Sequence, residues 1–196
     1  MNSGKSIDII RTAYNYTERN KDVVKIKPAE DTKSEFIIAR AGLKAEVDIL
    51  AEPGMNLREE IGRFAARKAL RDLQVVLVDE SQFLEPQQID QLYEVAKLDD
   101  TSVIAWGLRT DFQSNLFPGS KRLLELADIV EKIPTMCRCD KQAEFNTRKI
   151  GDRYVFDGAQ VAIDEEHAET DDSQKVTYDS LCGTCYLEEK AKALAT

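Results

Sequence analysis

The sequence predicts an α/β fold, with a mostly parallel sheet flanked by helices over residues 1–133 and a small cysteine-stapled unit over residues 134–196. Three observations carry that expectation. Wholly apolar runs such as Val75-Val76-Leu77-Val78 alternate with stretches of helical period, the pattern of buried parallel strands joined by crossover helices. The Val75 run ends in two acids, Asp79 and Glu80, at the place where an open α/β sheet carries its functional groups. Beyond Pro134 that alternation gives way to two tight cysteine pairs, Cys137/Cys139 and Cys182/Cys185, separated by polar, strand-like segments.

Each element has its own reason. From Ser6 to about Glu18, Ile7, Ile10, Ala13 and Tyr14 recur at helical spacing. Asp22 to Ile26 reads as a short strand stopped by Pro28, and residues 29–45 as a loop holding at most one short strand. Pro53-Gly54 turns the chain, Asn56 can cap a helix, and Glu59 stands where a capping-box acid would. Leu57, Ile61, Phe64, Ala65 and Leu73 are expected on one face of that helix. Val75–Val78 is a buried strand, Pro86 starts a helix running to about Lys97, and Thr101 to Trp106 is a second buried strand. A helix is expected over Arg122 to Val130. Strand-like segments follow at Glu144 to Arg148 and Arg153 to Phe156.

At 196 residues, 42% hydrophobic and 32% charged, the chain is large enough for one ordinary core and a small appendage. A net charge of −9 argues against nucleic acid or an anionic membrane as the principal partner, because both repel an acidic surface. Any phosphate must therefore be held by local groups. No apolar run reaches membrane-spanning length and the N-terminus lacks a signal-peptide core, so the expectation is a cytoplasmic protein. With one histidine, His167, in an acidic stretch, histidine-based catalysis is not expected.

The chemistry is expected in three places. Gly4-Lys5-Ser6, running into an amphipathic helix, matches the second half of a phosphate-binding loop of pattern G-x-x-x-x-G-K-[ST]. In such a loop the lysine reaches the β and γ phosphates and the hydroxyl ligates Mg²⁺. The first glycine and its feeding strand would precede Met1, so the first strand of the sheet is expected to be missing from residues 1–196. Asp79 can ligate Mg²⁺ opposite Ser6, leaving Glu80 to take a proton from an attacking hydroxyl. The four cysteines suit a structural, tetrahedral Zn²⁺ site with no open position. Cys182-Gly183-Thr184-Cys185 has the standard knuckle spacing, whereas Cys137-Arg138-Cys139 is one residue tighter.

Taken together, these motifs resemble those of the type II thymidine kinases, the zinc-containing family. The resemblance runs nearly end to end: Met1-Asn2-Ser3-Gly4-Lys5-Ser6, Asp31-Thr32-Lys33, Ala39-Arg40-Ala41-Gly42-Leu43, Asp79-Glu80-Ser81-Gln82-Phe83, Gly107-Leu108-Arg109-Thr110-Asp111-Phe112, and the cysteine pairs with Tyr178 before the second. It implies a P-loop (RecA-like) sheet domain with a zinc-ribbon/lasso domain, and transfer of the ATP γ-phosphate to the 5′-hydroxyl of thymidine with Mg²⁺ in a homotetramer. ATP and its magnesium are assigned by this resemblance to Met1, Asn2, Ser3, Gly4, Lys5, Ser6, Asp31, Lys33, Asp79, Glu80, Ser81 and Gln82, with Glu80 as base. Met1, Phe83, Leu108 and Phe112 are assigned to the walls of the thymine ring. Tyr178 is assigned to the flank of the nucleoside, and Gln160, Val161, Ala162, Ile163 and Asp164 to the segment whose backbone reads the base edge.

The sequence also departs from the family. Lys33 stands in place of an arginine, and Ile163-Asp164-Glu165 in place of Ile-Gly-Gly, followed by an acidic insertion to about Lys175. Two rivals to a thymidine kinase follow: a deoxyuridine or broader deoxynucleoside kinase, and a catalytically silent, zinc-stapled nucleotide-binding subunit.

Overall fold

The computed structural model describes residues 3–29, 36–158 and 175–195. Two compact units emerge. One comprises Gly4–Arg109 and Phe117–Glu131; the other comprises Met1–Ser3, Thr110–Leu116 and Lys132–Thr196.

In the first unit, helix α1 (Lys5–Thr17) precedes strand β1 (Asp22–Pro28). Strands β2 (Phe36–Ile38) and β3 (Lys44–Glu46) pair as an antiparallel hairpin, and β4 (Ile49–Ala51) follows. Helix α2 (Leu57–Lys68) leads into β5 (Leu73–Val78), then α3 (Pro86–Leu98), β6 (Ser102–Ala105) and α4 (Pro118–Leu126). The main sheet has the order β4-β1-β5-β6 and every neighbouring pair is parallel. On one face, the fully buried Val24, Ile26, Val76 and Val78 pack with Leu57 and Ile61 of α2 and with Ile89, Leu92 and Val95 of α3. Each such side chain contributes about 1.5–3 kcal/mol by leaving water.

Several boundaries differ from the sequence-based expectation. Strand β1 runs through Pro28, which pairs with Ala51 at the strand's last position, where the missing proline N–H costs no ladder bond further along. Asn56 caps α2 as expected, accepting the Glu59 N–H at 3.2 Å, while Glu59 turns to the Asn56 side-chain amide. Leu73 is not on α2: Ala69 adopts a left-handed backbone (φ 52°), ends the helix, and Leu73 opens β5. Helix α4 starts and ends four residues early because Pro118 fits a first helical turn and Ala127 is extended. Ile129 and Val130, expected in that helix, are exposed beyond its end.

The second unit is a three-stranded antiparallel sheet of order β8-β7-β9, made by β7 (Phe145–Ile150), β8 (Arg153–Val155) and β9 (Val176–Leu181), followed by α5 (Gly183–Leu194). Tyr186 of α5 is its small core's centre, stacked on Phe145 at 4.5 Å and met edge-on by Phe156 at 5.4 Å. Its hydroxyl accepts a hydrogen bond from Ser114 Oγ at 2.8 Å.

Candidate active site and metal centre

Gly4 caps α1 in a left-handed conformation (φ 79°), a backbone that L side chains rarely adopt, and no side chain caps the helix. Lys5 and Ser6 therefore open a helix whose N-cap residue offers its first N–H groups no side-chain acceptor, an arrangement suited to phosphate. The same turn is anchored to the sheet. Asp8 accepts the indole N–H of Trp106 at 3.0 Å and also pairs with Arg11. Trp106 follows β6, and its backbone N–H donates to the Val78 carbonyl at 2.8 Å. The start of α1 is thereby tied to the carboxyl ends of β5 and β6, beside Asp79.

Asp79 is only 3% exposed. Its backbone N–H donates to the Ile26 carbonyl at 2.9 Å, and its Oδ1 accepts the Glu80 N–H at 3.0 Å. Burial, then the charge of Glu80, pushes its carboxyl up to about 6, against the opposing influence of the Glu80 N–H, Lys27 and Lys5. A buried carboxylate held near neutral pH in this way gains from an added cation. Glu80 is half-buried and has a left-handed backbone (φ 46°), sparsely populated by residues other than glycine. That turn redirects the chain at the strand's end. Lys27, on β1, went unremarked in the sequence; its signal is a cation at the carboxyl end of a parallel strand.

The turn Ser81–Phe83 is a single 3₁₀ turn packed against its neighbours by hydrogen bonds. Ser81 is buried and its Oγ donates to the Trp106 carbonyl at 3.0 Å. Gln82, 1% exposed, donates from Nε2 to Glu80 Oε2 at 2.6 Å and accepts the Leu108 N–H on Oε1 at 2.9 Å. Phe83 lies edge-on to Phe117 with ring centroids 5.6 Å apart, and Leu108 is half-buried.

Phe112 and Tyr178 belong to the second unit. Phe112 is 2% exposed, and the guanidinium of Arg148 sits 3.8 Å from its ring centre. Arg148 Nη2 also donates to the Asp157 carbonyl at 2.6 Å. At Gly158 the left-handed backbone (φ 107°) favours glycine, and an added Cβ would lie 2.7 Å from that same nitrogen and push the guanidinium aside. Tyr178 lies opposite Arg148 across the β7–β9 pairing and is half-buried. Arg148 has no role in the sequence-based reading; its only signal there is an arginine inside the strand-like run from Glu144, and its burial is a tertiary result. Met1, Asn2, Asp31, Lys33, Gln160, Val161, Ala162, Ile163 and Asp164 lie outside the described residues.

The four cysteine sulfurs lie within 4.8 Å of one another. Cys139 Sγ is 3.6 Å from both Cys137 Sγ and Cys182 Sγ. Tetrahedral Zn²⁺ with 2.3 Å bonds separates its sulfurs by about 3.8 Å, so the donor set fits that ion. Cys182 and Cys185 begin α5, where the helix N-terminus favours thiolates. Burial resists ionisation of Cys137, but N–H groups of Cys139 and Cys182 directed at its sulfur bring the thiol down to about 6. Hydrogen bonding to Cys139, together with burial, pushes Cys185 up to about 12. Four sulfurs this close repel as anions, and a dication relieves all four at once. The tighter Cys137/Cys139 spacing is thus no obstacle to a single cluster.

A sequence model described as "Thymidine kinase" matches residues 1–186. The chain belongs to the thymidine kinase family. Among similar proteins, the thymidine kinase of enterobacteria phage T4 is 37% identical over 169 residues, 85% of this chain and 86% of its own length. That of Mannheimia succiniciproducens is 40% identical over 167 residues, 83% of each chain. That of Chromobacterium violaceum is 37% identical over 189 residues, 95% of this chain and 93% of its own. The α/β sheet and the four-cysteine cluster expected from the sequence are both present. None of the helices among the described residues is long and apolar enough to cross a membrane.

Proposed function

We propose that the protein transfers the γ-phosphate of ATP to the 5′-hydroxyl of thymidine, giving dTMP and ADP for nucleotide salvage. The observation that carries the mechanism is the pairing of Asp79 with Glu80 at the end of β5, beside the uncapped start of α1. Lys5 and the first N–H groups of α1 hold the phosphates, supported by family membership and by the left-handed Gly4. Ser6 and Asp79 are the residues to hold Mg²⁺, which when bound neutralises charge on the β and γ phosphates. Glu80 accepts the proton of the 5′-hydroxyl as that oxygen forms its bond to the γ-phosphorus. The bond from phosphorus to the β–γ bridging oxygen breaks, and its electron pair leaves with ADP. Ser3, Asp31 and Lys33 are proposed for the ATP side, whereas Ser81 and Gln82, assigned there by resemblance, are buried and support the turn after β5 from behind.

Phe83, Leu108 and Phe112, with Met1, are proposed to wall the thymine, with Tyr178 at the sugar and the backbone of Gln160–Asp164 reading the base edge. Structural Zn²⁺ on Cys137, Cys139, Cys182 and Cys185 replaces a hydrophobic core too small to order the second unit alone. The assembly is proposed to be a homotetramer in the cytoplasm, without nucleic-acid or membrane partners.

The test is a kinetic assay with ATP and Mg²⁺ against thymidine, deoxyuridine, deoxycytidine and the purine deoxynucleosides. Thymidine is expected to give the highest kcat/KM. Turnover of deoxycytidine or purines with none of thymidine would refute the assignment. Glu80→Gln should lower kcat by roughly 10²–10⁴-fold while ATP still binds. Unchanged turnover would remove Glu80 from the base role.

A further inference from the structure

Gln82 is the residue whose geometry says most beyond this reading. Its side chain is 1% exposed, and a buried amide is held in place by what it bonds. Nε2 donates to Glu80 Oε2 at 2.6 Å, while Oε1 accepts the Leu108 N–H at 2.9 Å. The two bonds fix which way the amide points, because only the NH₂ end can serve a carboxylate and only the oxygen can serve an N–H. Glu80 itself sits on a left-handed backbone, so its carboxylate direction is not set by a regular helix or strand.

The surroundings reinforce that hold. At Gly107 an added Cβ would lie 2.8 Å from Gln82 Oε1 and 2.7 Å from Ser81 Oγ, so glycine lets the 107–108 backbone reach the amide. Leu108 is pinned from its other side, where Ser120 Oγ donates to its carbonyl at 2.6 Å. Ser120 and Gln82 thus grip the Leu108 backbone from its carbonyl and its N–H respectively, and Gln82 carries that anchorage to Glu80.

We infer that Gln82 is a positioning residue, which aims the Glu80 carboxylate at the nucleoside hydroxyl and ties it to the Leu108 backbone. The inference rests on Glu80 being the base. Positioning of this kind is worth much to a proton transfer, since misplacing a reacting group by about 1 Å can cost roughly 10²-fold in rate. Gln82 then acts through Glu80 and requires no contact with ATP.

The experiment is a double-mutant cycle in the full chain. Gln82→Met removes both hydrogen bonds at nearly constant length; Gln82→Glu keeps the acceptor for Leu108 but turns the donor to Glu80 into a second carboxylate, so in the parent background it adds like-charge repulsion to the lost bond, and in the Glu80→Gln background it does not. Each is measured alone and with Glu80→Gln, for kcat, for KM of ATP and thymidine, for equilibrium ATP binding and for melting temperature. Both Gln82 variants are expected to lower kcat roughly 10- to 100-fold, with either KM changed less than about twofold and ATP binding kept. In the Glu80→Gln background the same substitutions should cost less than about twofold more. Equal fractional losses in both backgrounds would overturn the inference and leave Gln82 a structural residue. A raised KM for ATP with kcat intact would overturn it in favour of nucleotide contact. If Glu80→Gln alone retains full turnover, the base assignment falls and this inference with it. Gln82→Glu is isosteric, so a failure of the methionine variant to fold leaves the cycle measurable.

Discussion

Asp79→Asn should make the protein more stable while abolishing its turnover. The carboxyl is 3% exposed and its pKa is raised from the ordinary 3.8 to about 6, chiefly by burial and then by Glu80. A raised carboxyl pKa means that the folded state binds the proton more tightly than the unfolded chain. The contribution of this group to stability is therefore most favourable below about pH 4, where both states are protonated, and falls as pH rises to about 6. Above that both are ionised and the full penalty applies. A shift of about 2 units at about 1.4 kcal/mol each gives roughly 3 kcal/mol at pH 7. Asparagine escapes this penalty and keeps an oxygen for the Glu80 N–H. For a chain of this size the gain corresponds to a rise in melting temperature of about 6–12 °C. Urea titrations without added magnesium, followed by the fluorescence of Trp106, the one tryptophan, report on the sheet unit. The gain should be full at pH 7 and vanish near pH 4. An equal gain at both pH values, or none at pH 7, would refute the burial argument.

Other perturbations have equally definite outcomes. Gly119→Ala places a Cβ 2.6 Å from the Leu84 carbonyl oxygen and 2.7 Å from that of Ser81, both backbone. It should cost about 1–3 kcal/mol in urea unfolding and slow turnover by displacing the turn next to Glu80. Cys182→Ser should lower bound zinc, measured by elemental analysis, below one ion per chain and lower the melting temperature; full occupancy with unchanged melting would exclude a structural site. Arg148→Lys keeps the charge but loses the planar face over Phe112, and should destabilise by about 0.5–2 kcal/mol in thermal melts.

What the sequence makes legible follows from the range of the forces involved. Helix α2 and strand β5 are set by local pattern, a capping asparagine and a β-branched run, and both are present, although α2 ends at Lys68 and leaves Leu73 to β5. β4, β9 and α5 lie outside the expected elements, and the stretch 29–45, expected to hold at most one short strand, contains β2 and the start of its hairpin partner β3. Three-residue β4 exists because it lies against β1, and α5 starts where Cys182 and Cys185 join a cluster with residues more than forty positions earlier. No local window contains such information. Ile129 and Val130 misled for the converse reason: their apolar side chains are exposed outside the helix. At the site, Asp79, Glu80 and the cysteines were visible as motifs. The hydrogen bonds of Gln82 and the cover of Arg148 on Phe112 depend on tertiary approach.

The strand order also governs how the protein is born. β1 lies between β4 and β5 and pairs in parallel with both, so its partner on one side is made some 45 residues later. At a translation rate of about 5–20 residues per second, β1 waits about 2–9 s for β5, with an edge able to recruit other chains. The lysines at 25 and 27 give that waiting strand a positive charge, which discourages like strands from joining it before its own partner exists. Nascent chains halted before Leu73 should be cut readily by protease within β1, and those extended past Ala105 should resist.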